Sequence, residues 1–363
     1  MRFVMVLGAM GAALVLLSGG VAAQTRPAAA PRVELRTAPI LKLTGEVDSN
    51  SPAIWERVRG RNLLFVMTST SGRPSVAVGP QLGGLGAARP AAIDPHPGGG
   101  VWMEAIVKDV NGTWYGYYHQ ENVATMCGSQ RVIPRIGAAR SRDAGMTWEP
   151  LGTILEAPPG THDCVTFNEY FVGGVGDLSV QLDPESRDLY IFYSLYLRSA
   201  RQQGVGVARL AWADRDAPVG KVTVWRTRAW VPASVMTRPD ESLRIIYPAA
   251  MPIFPTTQSW HDGDWAVDAF WGPSVHWNTH LQLYVMLLNR AQDEAFRQEG
   301  IYVSYAPRLD DPALWSAPVK ILSGGTWYPQ VIGLEQDGTD KMAGEHARFF
   351  MMGSSNHFIR FIR

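Results

Sequence analysis

Residues 173–194 read GGVGDLSVQLDPESRDLYIFYS. Two glycines end a loop, and a carboxylate, Asp177, follows Val175 and Gly176. Residues 178–182 alternate as a short strand. The polar turn Asp183-Pro184-Glu185-Ser186 reverses the chain, and residues 188–194, rich in Tyr, Ile and Phe, return it. Strand, polar turn and aromatic strand together specify a β-hairpin. The same pattern stands at four other places, and that recurrence decides the fold.

In register with Asp177-Leu178-Ser179-Val180-Gln181 stand Ser51-Pro52-Ala53-Ile54-Trp55, Met103-Glu104-Ala105-Ile106-Val107, Gly272-Pro273-Ser274-Val275-His276 and Tyr328-Pro329-Gln330-Val331-Ile332. Each kernel has Ile or Val in fourth place and a small or polar residue before it. Each leads into a turn and a more apolar strand, at 63–67, 114–118, 189–193, 283–287 and 349–352. Third strands recur at 75–78, 136–139, 205–210, 301–305 and 358–361. Uneven steps around a constant kernel mark blades with loop insertions. Glycine pairs or triplets before three kernels let backbones crowd a common axis. The last copy ends at the C-terminus without a fourth strand, whereas residues 33–44 have strand character and no local partner. Set as the outer strand of the last blade, they remove two exposed sheet edges. The expected fold is all-β, a five-bladed β-propeller over residues 33–363, closed by the N-terminal strand in the last blade. A two-sheet sandwich would not require repeated kernels.

Ahead of this domain, Met1-Arg2, an apolar run to about Leu17 and Val21-Ala22-Ala23 before Gln24 predict a cleavable signal peptide over residues 1–23. Residues 24–32 are expected to be a disordered leader, Ala- and Pro-rich. The expected location is periplasmic or extracellular. The 33 basic and 33 acidic residues cancel, and no basic run occurs. Nucleic acid and membrane partners are therefore not expected. A monomer is expected. Cys127 and Cys164 are the only cysteines, and in an oxidising compartment they are expected to pair, clamping the long loops of the second blade to the entry of the third. Two buried free thiols are the other reading. No Cys or His stands at a ligand spacing such as C-x-x-C, so no metal and no cofactor is expected.

After the third strand of the second blade comes Ser141-Arg142-Asp143-Ala144-Gly145-Met146-Thr147-Trp148, an S-x-D-x-G-x-T-W pattern. It reads as an Asp box, a hairpin turn whose Asp and Ser bond the turn backbone while Trp packs between strands. With the kernels, this makes the chain resemble five-bladed propeller glycosidases of the arabinanase, β-xylosidase and levanase superfamily. The turn also resembles the sialidase repeat, although sialidases have six blades. The resemblance implies carboxylates at the starts of several inner strands, facing a central cavity, and a carbohydrate substrate. Asp48, Glu104 and Asp177 match that location. The chain departs from the pattern in its first blade, where Ser51 rather than Asp precedes the proline. Arg131 and Arg135, in Arg-Val-Ile-Pro-Arg, are only loosely similar to the sialidase Arg-Ile-Pro element.

Glycoside hydrolysis needs one carboxyl to protonate the leaving oxygen and a second to activate water or attack the anomeric carbon. Glu104 lies between Trp102-Met103 and an apolar strand, so desolvation is expected to suit it to the acid role. Asp177, after Gly176, or Asp48, beside Ser49 and Asn50, would be the base. Each carboxylate also has a plain alternative as a turn or strand cap. Tyr118, His119, Trp271, His276, Trp327 and Tyr328 are the candidate sugar-binding residues, since rings stack on aromatic faces and His binds hydroxyls. For His276, alternation also allows a place inside the sheet. Residues 232–269, a long insertion with Trp260-His261-Asp262-Gly263-Asp264-Trp265, are expected to cover the site. Three functions compete: a secreted glycoside hydrolase, a non-catalytic carbohydrate- or protein-binding propeller, and a sialidase-type exo-glycosidase. Geometry discriminates, because two carboxyls facing across one cavity at about 5–10 Å favour hydrolysis.

Overall fold

The structure, a computed structural model, describes residues 30–363 apart from 46, 186, 238–242 and 264–265. The signal-peptide reading of residues 1–23, most of the leader, and Asp264 and Trp265 of the insertion therefore lie outside the described residues.

Five antiparallel sheets follow one another along the chain. Blade one runs from its inner strand Ala53–Val58 through Arg61–Thr70 and Arg73–Gly79 to a short edge at Arg89–Pro90. Blade two comprises Gly100–Lys108, Trp114–Met126, Ser129–Ser141 and Thr147–Leu155, with Ala92–Ile93 added in parallel at its outer edge. Blade three starts with Val175–Leu182 and Asp188–Tyr196, and blade four with Phe270–Asn278 and Leu283–Ala291. Blade five holds Gln330–Gly333, His346–Met351 and Ser354–Ile362, and its outer strand is Arg32–Lys42. Arg32 pairs with Ile362 and Lys42 with Ser354, so the first and last described strands share one sheet, as expected for residues 33–44.

Alternation along the inner and second strands sends apolar side chains to both faces of each blade, where the neighbouring blades cover them. Separate apolar clusters fill the successive interfaces. Ile136, Tyr117, Leu178 and Ile191 join blades two and three. Phe192, Val207, Val275 and Met286 join three and four, and Val285, Val303, Val331 and Phe349 join four and five. Met67, Met103, Trp114 and Trp148 join one and two, and Val66, Ala53, Ile332 and Phe350 close the ring. Each such large side chain contributes about 1.5–3 kcal/mol on burial. Within residues 141–148, the Thr147 N–H and hydroxyl donate to the Asp143 carboxylate at 2.9 and 2.7 Å. The Trp148 indole, buried between blades, donates to the Gly145 carbonyl at 2.9 Å.

Polar latches stitch the blades where the inner strands begin. The Ser69 hydroxyl accepts the Met103 N–H, and Glu104 Oε2 accepts the Leu178 N–H at 2.8 Å. Ser194 accepts from Gly272, Asn289 from Tyr328, and Gln330 from Ser51. Each ties one blade to the backbone of the next. Asn50 does more: its amide donates to the carbonyls of Leu178 and Pro273, joining the loop before blade one to blades three and four.

Candidate active site

The inner strands are bulged at their entrances. Pairing skips one residue between Gly176 and Leu178 and between Met103 and Ala105, and two between Trp271 and Ser274. Bulges re-aim side chains and are common beside active sites. Asp177 itself has φ 40° and Tyr328, at the entry to blade five, φ 55°. For residues other than glycine this left-handed region is strained. The two are bonded to each other, the Tyr328 hydroxyl donating to Asp177 Oδ1 at 3.2 Å. The Tyr196 hydroxyl donates to the other oxygen, Oδ2.

His119 completes this group. Its Nδ1 lies 3.0 Å from the Asp177 N–H and 3.2 Å from Asp177 Oδ1. A neutral ring accepts the amide proton, whereas a protonated ring donates to the carboxylate. Nε2 points toward Glu121 Oε1 at 3.5 Å. Gly176 is required here, because a Cβ at this position would stand 2.6 Å from the imidazole. Burial pulls the His119 pKa down, but the bond to Asp177 and the charges of Asp177, Glu121 and Asp48 outweigh it and leave it raised.

Four carboxyls share this end of the propeller. Burial, then the charges of Asp177 and Glu121, lifts the Asp48 pKa from 3.8 to about 6, although a bond from Trp102 opposes the rise. Burial raises Glu121 as well. Glu104 is raised well above the usual carboxylate range, by burial first and the Asp177 charge second. Burial and the Asp177 charge also push the Tyr196 and Tyr328 hydroxyls up, so both remain donors. Glu104, His119 and Asp177 each bring one ligand atom to within 4.8 Å of the others, near enough to share a cation. The Nδ1 lone pair already faces the Asp177 N–H, however, so the group reads as a hydrogen-bonded cluster. Cys127 and Cys164 also approach His162, but a disulfide occupies both sulfurs.

A cavity opens above this cluster. Asp48, Asp177 and Glu121 face it, with His119. Trp102, Trp271, Trp327, Tyr328, Phe296, Phe171 and Tyr170 wall it. Six of the residues expected from sequence thus meet at one place: Asp48, Asp177, His119, Trp271, Trp327 and Tyr328. Glu104 lies beneath them, only 1% exposed, with one oxygen latched to the Leu178 N–H and the other 3.7 Å from His119 Nδ1. Two expected sugar binders do not reach the cavity. Tyr118 is buried in the core between blades one and two, its ring over Gly137. His276 is wholly buried against Phe361, and burial plus the nearby Lys341 lowers its pKa to about 3. Strand alternation points both side chains into the sheet stack.

The cover also differs from expectation. No described side chain of residues 232–269 lines the cavity. Its roof is the shorter segment before blade three, which supplies Tyr170 and Phe171. The Cys127–Cys164 disulfide ties this segment to the tip of the long blade-two hairpin, as the two cysteines implied. The insertion instead backs the roof. His261 contacts the Thr166 hydroxyl and the Tyr196 carbonyl, and Trp260 stacks on Phe296 at 5.0 Å. Its hairpin, Ser234–Thr237 with Leu243–Ile246, leads away toward blades two and three, where Arg244 meets Glu156. Tyr170, Phe171, Phe296 and Tyr196 were not singled out from sequence. Only Tyr196, closing the second strand of blade three much as His119 nears the end of its own pairing with blade two, left a signal. No Arg or Lys lines the cavity among the described residues. Arg135 is instead bonded to Gln120 at 2.9 Å.

No protein-family model matches the chain, and no curated protein matches it. Solved structures similar to it include glycoside hydrolases and a Dyadobacter fermentans protein of unknown function. A thermostable family-43 glycoside hydrolase shares 14% identity with a TM-score of 0.49, covering 90% of this chain and 91% of that one. An endo-arabinase from Bacteroides thetaiotaomicron shares 12% identity at TM-score 0.48, over 88% of this chain and 97% of its own. The catalytic domain of a GH62 α-L-arabinofuranosidase from Coprinopsis cinerea shares 10% identity at TM-score 0.49, over 90% and 95% of the two chains.

Proposed function

We propose that this chain is a secreted glycoside hydrolase acting on a neutral oligo- or polysaccharide, with Asp48 as proton donor and Asp177 as its partner carboxyl. One observation carries the reading: two carboxyls, Asp48 and Asp177, face a single aromatic cavity. Asp48 is desolvated and holds its proton to about pH 6. The Asp177 carboxyl accepts two tyrosine hydroxyls beside the same cavity. Two carboxyls facing one cavity are the arrangement that acid–base cleavage uses. Asp48 gives its proton to the glycosidic oxygen as the bond to the anomeric carbon breaks. Asp177 takes a proton from the attacking water or attacks that carbon itself. Trp and Tyr faces stack on the sugar ring. Glu104 acts through His119 and the blade latch, as a positioning residue. The absence of a lining Arg among the described residues counts against a sialidase-type site, which needs a cation for the substrate carboxylate. A disulfide fits an oxidising compartment and so supports secretion.

The test is a screen of purified protein against aryl glycosides and neutral polysaccharides, with Asp48→Asn and Asp177→Asn beside the wild type. Each variant should lose about a hundredfold or more in turnover on an unactivated glycoside. For Asp48→Asn the loss should shrink on an aryl glycoside with a good leaving group, which needs little proton donation. A wild type that binds sugars but releases none, or two variants with full activity, would leave a binding propeller instead.

A further inference from the structure

All five blades contribute to the cavity wall. Asp48 precedes blade one, and Trp102 and His119 come from blade two. Phe171 and Tyr170 lead into blade three, Trp271 and Phe296 belong to blade four, and Trp327 leads into blade five. Around much of the rim the rings touch in series. Trp102 contacts His119 at 5.5 Å, His119 contacts Phe171 at 6.1 Å, Phe171 adjoins Tyr170 at 6.2 Å, and Tyr170 meets Trp327 edge-on at 6.0 Å. Below, the latched inner strands and Asn50 close the floor. The space is therefore a well with one mouth.

An internal unit of a polysaccharide carries chain on both sides and needs two exits. A terminal unit needs one. We infer that the well takes a single sugar from the non-reducing end of a chain, so that the protein is exo-acting and releases monosaccharide. This rests on the hydrolase reading above and goes beyond it. The unit in the well supplies the anomeric carbon, and the remainder of the chain is the leaving group that departs through the mouth. The proton from Asp48 goes to the departing oxygen, and water provides the hydroxyl left on the released sugar. The roof makes the restriction specific to this chain. Tyr170 and Phe171 lie on a segment held by Cys164 to the blade-two hairpin, so that side of the rim is not free to swing away.

The experiment uses linear neutral pentose and hexose oligosaccharides, from tri- to hexasaccharides, with a fluorescent tag at the reducing end. Products are followed in time by chromatography. The expected result is a ladder of tagged products shortening by one unit, with free monosaccharide as the only untagged product. Chains whose non-reducing terminal unit is blocked by methylation should survive. Tagged fragments shortened by several units at once, at early times, would overturn the well while leaving hydrolysis standing. If no chain is cleaved, hydrolysis fails, and binding of the same sugars still decides the well. A monosaccharide should then bind within about tenfold of the hexasaccharide, and blocked chains should not bind. Equal binding of blocked and unblocked chains would overturn it.

Discussion

Replacing Asp48 by Asn should stabilise the protein while disabling it. The Asp48 carboxyl is part-buried, and its pKa rises from 3.8 in a free chain to about 6 in the fold. A raised carboxylate means that the folded state holds its proton more tightly than the unfolded state does. Stability contributed by this proton is present in acid and is lost as pH rises from about 4 to about 6. Above that, the folded protein carries an ionised group it accommodates poorly. Two units correspond to about 3 kcal/mol at 1.36 kcal/mol per unit. Partial exposure and solvent screening reduce this to about 1–2 kcal/mol. Asn keeps an oxygen that can accept the bond from Trp102, so little packing is lost. Urea unfolding of wild type and variant at pH 8 and at pH 4 measures the difference. The variant should be more stable by about 1–2 kcal/mol at pH 8, with most of the gain gone at pH 4. In wild-type kinetics the same group should give a descending limb of kcat/KM near pH 6. A variant equally stable or weaker at pH 8, or a gain independent of pH, would refute the account of Asp48.

Cys127→Ser with Cys164→Ser should cost about 3–4 kcal/mol in the chain-entropy account of a 37-residue separation. Because the bridge holds the roof, KM should rise more than kcat falls, and unchanged kinetics would show that the roof stands without it. Gly176→Ala forces a Cβ to within 2.6 Å of the His119 ring, and overpacking of this kind costs about 1–3 kcal/mol. Thermal melting and turnover should both fall, and a silent substitution would show that His119 has room to move. Deleting residues 32–42 strips the outer strand of blade five and should abolish cooperative unfolding followed by circular dichroism. An unchanged melt would count against closure by that strand.

The ring was legible in the sequence because five kernels share one hydrophobic pattern, and strand pairing follows directly from such patterns. The site was legible in part. Asp177 and Glu104 stand at the starts of their inner strands, and each is the unpaired residue of a bulge, between Gly176 and Leu178 and between Met103 and Ala105. Pairing register therefore does not separate them. Their partners do, and those partners are distant in sequence: Asp177 meets the cavity and two tyrosine hydroxyls, while Glu104 turns toward the next blade and bonds the Leu178 N–H. Tyr118 and His276 are buried away from the cavity by strand alternation. Phe171, Tyr170 and Phe296 lie on connections outside any period, and only their meeting in space shows what they do. The insertion at 232–269 is rich in Trp and Asp. Length and aromatic content mark a loop as packed, but they do not say against what, and here Trp260 packs behind Phe296.

The ring geometry also explains how so unfavourable a cluster persists. Asp48, Glu104, Glu121 and Asp177 surround one imidazole, and no Lys or Arg lines the cavity beside them among the described residues. Asp177 and Tyr328 add backbone strain at φ 40° and 55°, a cost of about 1–3 kcal/mol each. A single hairpin could relax any of these by shifting register or opening an edge. In the closed ring, each entrance is fixed from the neighbouring blade. The Tyr328 N–H is held by Asn289, the Leu178 N–H by Glu104 and the Gly272 N–H by Ser194. Relaxing the strain at Asp177 would therefore break a latch between blades two and three and disturb the buried interface behind it. Local strain is balanced against packing distributed over the whole circle. The carboxyls consequently cannot rearrange to escape one another, and the proton affinities of Asp48, Glu104 and Glu121 rise instead. That is the property acid–base chemistry needs, and it comes from closure of the ring rather than from any one blade.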